Sequence, residues 1–293
     1  MKATKVSVLL ALAPFGAANA QTLNSASLSN SDVTIYEADN SSPVRQLSIN
    51  NSLSPLVALQ GTASDAGGNI ELFTSSDLPA FDDVSELGSF ANAMPTVLTA
   101  GFSNGSTVTV SGLNGRDWFL VSGSVYDTSF GVDNLANQWF GDFLGAMNTQ
   151  SGGATTSLIA LAGGEASLFD TFRDNGGFAQ MSDPNVSFID TTDSIVSVGL
   201  GGFIDSTNRV AGLIGVSPIS LDLAFEDGLQ VSEVALVNGE AAYGFEAVDS
   251  GVVLDDPESS YSGTYVVMTA VPEPSSSLLV LLAGVAGLAR RKR

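Results

Sequence analysis

Two apolar segments, each bordered by positive charge, bracket this chain and decide which part of it has to fold. At the front, Lys2 and Lys5 precede the apolar run 6–13, followed by Pro14, Gly16 and the small triplet Ala18, Asn19, Ala20. That three-part order predicts a signal peptide over residues 1–20, cleaved between Ala20 and Gln21. At the back, Pro272, Glu273 and Pro274 lead into the apolar residues 278–289, closed by Arg290, Arg291, Lys292 and Arg293. As a helix rising about 1.5 Å per residue this run reaches roughly 18 Å, against a hydrocarbon core of about 30 Å, so it is a marginal membrane anchor. Its basic end is expected on the cytoplasmic side. The part that has to fold is residues 21–270, expected as a single exported domain, with 271–293 as a tail.

The two ends hold most of the basic residues. Between them Arg45, Arg116, Arg173 and Arg209 face thirty carboxylates, a formal charge of −26, and there is no lysine. Such a field repels phosphate backbones, which excludes nucleic acid as a partner. It attracts divalent cations and basic surfaces, although solubility or adaptation to salt explains the acidity without any site. Cysteine and histidine are absent, so neither disulfides nor thiol or imidazole chemistry is available. A body of about 250 residues buries roughly 70% of its unfolded surface, so an ordinary core suffices without cross-links.

The Pro-Glu-Pro triplet, the apolar segment and the terminal Arg/Lys cluster, in that order at the C-terminus, resemble a PEP-CTERM sorting signal. The resemblance covers about the last 22 residues. It implies an exosortase-type membrane enzyme that recognises and removes the tail, after passage through the secretion machinery and signal peptidase. It also implies a Gram-negative host that makes extracellular polysaccharide. The destination it implies is the cell surface, outer envelope or extracellular space, as in a biofilm matrix, with the C-terminal helix in the membrane before processing. Residues 176–185 and 238–265 are more loosely similar to a PEP-CTERM protein family without an assigned activity, and bring no functional residues with them.

Along the body, short β-rich runs at 33–36, 44–49, 56–59 and 70–73 alternate with turn clusters such as 65–69. Residues 107–110 alternate polar and apolar, the pattern of a half-buried strand, after a turn at Asn104 and Gly105. Beyond Asp133, a predicted N-cap, Leu135, Trp139, Phe140, Phe143, Leu144 and Met147 recur at helical spacing. A second helix around Leu168, Phe169 and Phe172 is predicted to end at Asn175 and Gly176. Residues 186–189 and 195–198 read as a hairpin across a turn at 190–193. Residues 231–237 and 241–248 read as another, across Asn238 and Gly239, the pair suited to a type I′ turn. A last strand is expected at 265–268. The fold class expected is α+β: mainly antiparallel sheet with about two amphipathic helices, flanked by the signal peptide and the sorting helix.

Chemistry has few places to sit in such a chain. Residues 101–105 match G-x-S-x-G, but that nucleophile needs a histidine, and residues 107–110 continue as a strand instead of the required helix, so the segment reads as a turn. Paired carboxylates suffice for glycoside hydrolysis, and Asp82, Asp83, Glu86, Glu226 and Asp227 are candidates for such a pair. Calcium is the cofactor whose hard oxygen ligands are plentiful, although none of the acidic groups has EF-hand spacing. The groups are Asp170 with Asp174 and Asn175, Asp190 with Asp193, and, as first choice, Asp255 with Asp256 and Glu258. Each also reads as a solvated turn or helix cap. Trp118, beside Arg116 and Asp117, and Trp139 are candidates for stacking on sugar rings, against a core role for both. The leading expectation is a non-enzymatic structural or interaction protein of the cell surface or polysaccharide matrix, with no catalytic residues and no cofactor. The alternatives are a carboxylate-dependent glycan hydrolase and a calcium-stabilised carbohydrate-binding module.

Overall fold

The computed structural model describes residues 22–39, 46–72, 90, 93–123, 125–192, 195–225, 227–252 and 262–270. The signal-peptide segment, the sorting tail, Asp82, Asp83, Glu86, Asp193, Glu226, Asp255, Asp256 and Glu258 all lie outside these residues.

Two antiparallel sheets dominate. The smaller has the order β1 (Leu23–Leu28), β7 (Val97–Phe102), β8 (Thr107–Ser111), β14 (Ala235–Val237) and β15 (Glu240–Ala242). The larger runs β16 (Val248–Asp249), β17 (Gly263–Ala270), β12 (Ile195–Phe203), β11 (Asn185–Thr192), β6 (Gly68–Leu72), β2 (Val33–Asp39) and β3 (Gln46–Ile49), and β13 (Val231–Ser232) pairs on β12. Two minor ribbons join β4 (Gly61–Thr62) to β5 (Asp65–Ala66), and β9 (Leu120–Ser122) to β10 (Val125–Tyr126).

Alternation along the strands decides how the sheets meet, because successive side chains point to opposite faces. Leu98, Ala100 and Phe102 of β7 and Val108 and Val110 of β8 share one buried cluster with Ile35, Ile70, Leu72, Val186, Val196, Val198 and Leu200 of the larger sheet. The sheets therefore pack face to face through their apolar sides. The other face of the larger sheet carries Tyr36, Asn69, Glu71 and Asn185, and three of these are buried as well. Gly199 sits opposite Phe188 in the β11–β12 ladder, where a Cβ would collide with the Phe188 ring.

A second buried cluster is built by helices. Asn134, not Asp133, caps the Leu135–Gln150 helix, its side chain accepting from the Asn137 backbone N–H at 3.0 Å. The helix buries Trp139, Phe140, Phe143, Leu144 and Met147 along the predicted stripe, and Trp139 stacks on Phe143 with ring centroids 5.2 Å apart. The Glu165–Asp174 helix adds Leu168, Phe169 and Phe172 and gives way at Asn175 to Gly176 in the left-handed conformation. Both long helices stand as expected, but the described residues contain eight helices, not about two. The Thr207–Ile214 helix, with Val210, Ala211, Leu213 and Ile214 buried, is the largest of the additions to this cluster.

Other local corrections have plain causes. Residues 56–59 do not form a strand: Ser54 and Pro55 start the short Pro55–Ala58 helix, since proline at the first helical position fixes φ and spares an unpaired N–H. Residues 190–192, expected in a turn, continue β11 instead, with Thr192 still paired to Ile195. The turn cluster at 65–69 is largely strand, the bend falling instead between β4 and β5. The Asn238–Gly239 turn forms as expected, with φ of 52° and 83° and Val237 opposite Glu240. Its flanking strands are shorter than expected, since β13 leaves to join the larger sheet.

Candidate functional site

The two clusters meet along residues 181–185 and 231–235. Leu113 N–H donates to the Ser182 carbonyl at 3.1 Å, Val234 N–H donates to the Met181 carbonyl at 2.8 Å, and Leu72 N–H donates to the Pro184 carbonyl at 3.1 Å. Pro184 ends the preceding helical segment and starts β11, so Asp183 and Asn185 are delivered to the seam two residues apart. Across the ladder Asn185 stands opposite Glu71 of β6. Glu233 arrives from the short link between β13 and β14, its carbonyl taking the Ser232 hydroxyl at 2.6 Å.

Three carboxylates thus gather under one cation. Asn185 donates its backbone N–H and its side-chain Nδ2–H to Glu233 Oε2, at 3.2 and 3.0 Å. Arg209, from the Thr207–Ile214 helix, brings Nη1 to 3.9 Å from Glu233 Oε1 and lies over the Phe203 ring at 5.8 Å from its centroid. Tyr36 donates its hydroxyl to Glu71 Oε2 at 2.9 Å. A cavity lined by Met181, Phe203, Ser206, Arg209, Val231 and Glu233 has room for about one water molecule.

Burial disfavours charge on all three acids. It pushes the Asp183 carboxyl up to about 8, with the charges of Glu233, Glu71 and Asp32 adding and Arg209 opposing. It pushes Glu233 up to about 7, against the pull of Arg209 and the hydrogen bonds from Asn185. Glu71 is raised by burial too, with Tyr36 and Arg209 opposing. Hydrogen bonding is incomplete at the same place: Asp183 Oδ1, Asn185 Oδ1 and both amide atoms of Asn69, two residues before Glu71 on the same strand face, are buried without partners. Natural folds pair nearly all such atoms, so a concentration of exceptions calls for an explanation.

The residues singled out from the sequence fare differently. Trp118 is not a sugar platform: it is fully buried, donates Nε1–H to Ser182 Oγ at 2.7 Å, and meets Trp139 edge-on at 5.8 Å. Trp139 is fully buried as well. Asp170 and Asp174 are both ion-paired to Arg173, each at 2.8 Å, and Asn175 turns its amide to the Gly212 and Leu213 carbonyls. Asp190 Oδ1 takes the Thr191 N–H at 2.7 Å, and Asp227 is exposed. Residues 101–105 run from the end of β7 into the turn to β8, where Ser103 Oγ accepts the Thr22 N–H at 3.2 Å. Glu71, Asp183, Asn185, Arg209 and Glu233 were not legible as a set. The one local signal is the Asp-Pro-Asn step between a helix and a strand.

Among the described residues no three Asp or Glu side chains converge closely enough to hold a metal ion between them. Nor is any helix among them long and apolar enough to cross a membrane.

Fold and site together define an antiparallel two-sheet protein with a helical second core and a closed acidic seam. Residues 270–293 match the PEP-CTERM protein-sorting motif, so the chain contains a PEP-CTERM sorting domain. The motif implies an exported, surface-targeted protein processed by an exosortase-type enzyme. Neither the curated proteins nor the solved structures include a match to the chain.

Proposed function

We propose that the exported body is a non-catalytic structural or interaction component of the cell surface or extracellular polysaccharide matrix. The observation that carries this reading is the union of a sorting motif at 270–293 with a body free of histidine, cysteine and lysine. Carboxylates and hydroxyls are left as its proton-transfer groups. Of its most perturbed carboxylates, Glu233 adjoins space for about one water, far less than a sugar ring requires. The tryptophans that a sugar-binding face would use are spent in the aromatic core. The body's formal charge of −26 keeps it soluble and open to cation-bridged contacts with other acidic polymers.

A hydrolase is the second reading, favoured by one observation: Asp183 and Glu233 hold protons near neutrality, as general acids do. Incubating the purified protein with the producing cell's own polysaccharide separates the two. The structural reading expects co-sedimentation with the polymer or with the cell surface, and no new reducing ends. Release of reducing ends that Asp183→Asn or Glu233→Gln abolishes would replace it with the hydrolase.

A further inference from the structure

We propose that the seam between the two cores is a binding site for one divalent cation of the calcium class, held by Asp183, Glu233 and the side-chain oxygen of Asn185. The acids alone would not carry this. The independent observation is Asn185 Oδ1, on a residue only 1% exposed and without a hydrogen-bond partner.

Its place follows from covalent geometry. Asn185 Nδ2 reaches Glu233 Oε2 at 3.0 Å, and Oδ1 shares the same Cγ, so the orphaned oxygen lies beside that carboxylate. Asp183, two residues earlier, contributes a second unpartnered oxygen, Oδ1. Asn185 Oδ1 is an acceptor, and Asp183 Oδ1 is one as well once its carboxyl is ionised, so above the Asp183 value both call for a donor or a cation.

Charge narrows the choice. Ionised Glu71, Asp183 and Glu233, with Asp32 also acting on Asp183, outweigh the single cation Arg209, an excess of negative charge that a divalent ion offsets. A three-carboxylate cage is not the arrangement, since no three acids converge among the described residues. Calcium tolerates six to eight mixed oxygen ligands, including amide carbonyls and water, so two carboxylates with one amide oxygen and solvent make an adequate partial shell. The site is distinct from the Arg173-paired acids Asp170 and Asp174, and the Asp255 group suggested by sequence lies outside the described residues.

The test is the melting temperature of the chelator-stripped full chain at mildly alkaline pH. Millimolar calcium chloride is compared with sodium chloride of equal ionic strength, in the wild type, Asp183→Asn and Asp170→Asn. Calcium is expected to raise the wild-type value by about 5 °C over the sodium control, as a ligand binding only the native state does. Asp170→Asn retains the rise and Asp183→Asn loses most of it. Calorimetric titration of the wild type then gives one saturable calcium site per chain, a readout independent of whether the variants fold. No rise over sodium, an equal rise in Asp183→Asn, or no saturable site overturns the proposal.

Discussion

Asn185 gives both its backbone N–H and its side-chain N–H to one oxygen of Glu233, at 3.2 and 3.0 Å, and so ties the first residue of β11 to the link between β13 and β14. That clamp joins the sheet core to the helical core at a point where the surrounding groups are acidic.

Removing the acceptor strands two buried donors. Glu233→Ala is expected to cost about 2 kcal/mol, the penalty of unsatisfied buried amide groups. Glu233→Gln, which keeps an acceptor oxygen, is expected to cost less than about 1 kcal/mol. Urea denaturation midpoints at constant slope measure both. Equal losses would show that the charge, not the acceptor, holds the clamp.

Asp183 and Glu233 hold protons more tightly folded, with values near 8 and 7, than as ordinary unfolded carboxylates. Glu71 and Asp32 reinforce the effect at Asp183, and Arg209 opposes it. The native state therefore binds more protons than the unfolded one above about pH 4. The stability they contribute is complete below that point and drains as pH rises through the folded values. In chelator, the melting temperature is expected to fall by several degrees between about pH 5 and pH 9, and Asp183→Asn to flatten the decline. A melting temperature that climbs across this interval contradicts the assignment.

Both tryptophans are sealed in the aromatic core. Their fluorescence is expected to be blue-shifted and poorly quenched by acrylamide. Trp118→Phe, which loses the bond to Ser182, is expected to cost about 1–2 kcal/mol. A red, readily quenched emission would place an indole in water.

The β14–β15 turn isolates a backbone effect. Gly239 has φ of 83° and open space around its Cβ position, so Gly239→Ala is expected to cost about 1 kcal/mol through conformation alone. Asn238→Gly keeps the turn but removes the oxygen that accepts the Thr109 N–H at 3.0 Å. Chemical denaturation of the pair separates strain from hydrogen bonding, and an unchanged Gly239→Ala would refute the strain.

Elements with strong local signals could be read from the sequence. The Leu135–Gln150 stripe, the Asn238–Gly239 turn and the alternation in β8 all depend on neighbours in the chain. The Thr207–Ile214 helix also had a signal, Val210, Ala211, Leu213 and Ile214 ahead of Gly215, hidden by its shortness. The seam had almost none. Asn69 and Glu71 alternate with Ile70 and Leu72 as if facing solvent, and only long-range packing buries the first and half-buries the second. Asp183, Arg209 and Glu233 lie successively 26 and 24 positions apart, so their meeting is a property of topology.

Export followed by removal of the tail is most directly tested by intact-mass spectrometry of the native protein, combined with fractionation of the producing cells. The expected product lies in the surface or extracellular fraction, begins at Gln21 and lacks residues 278–293. An unprocessed 293-residue chain of 30.0 kDa in the cytosol would contradict it.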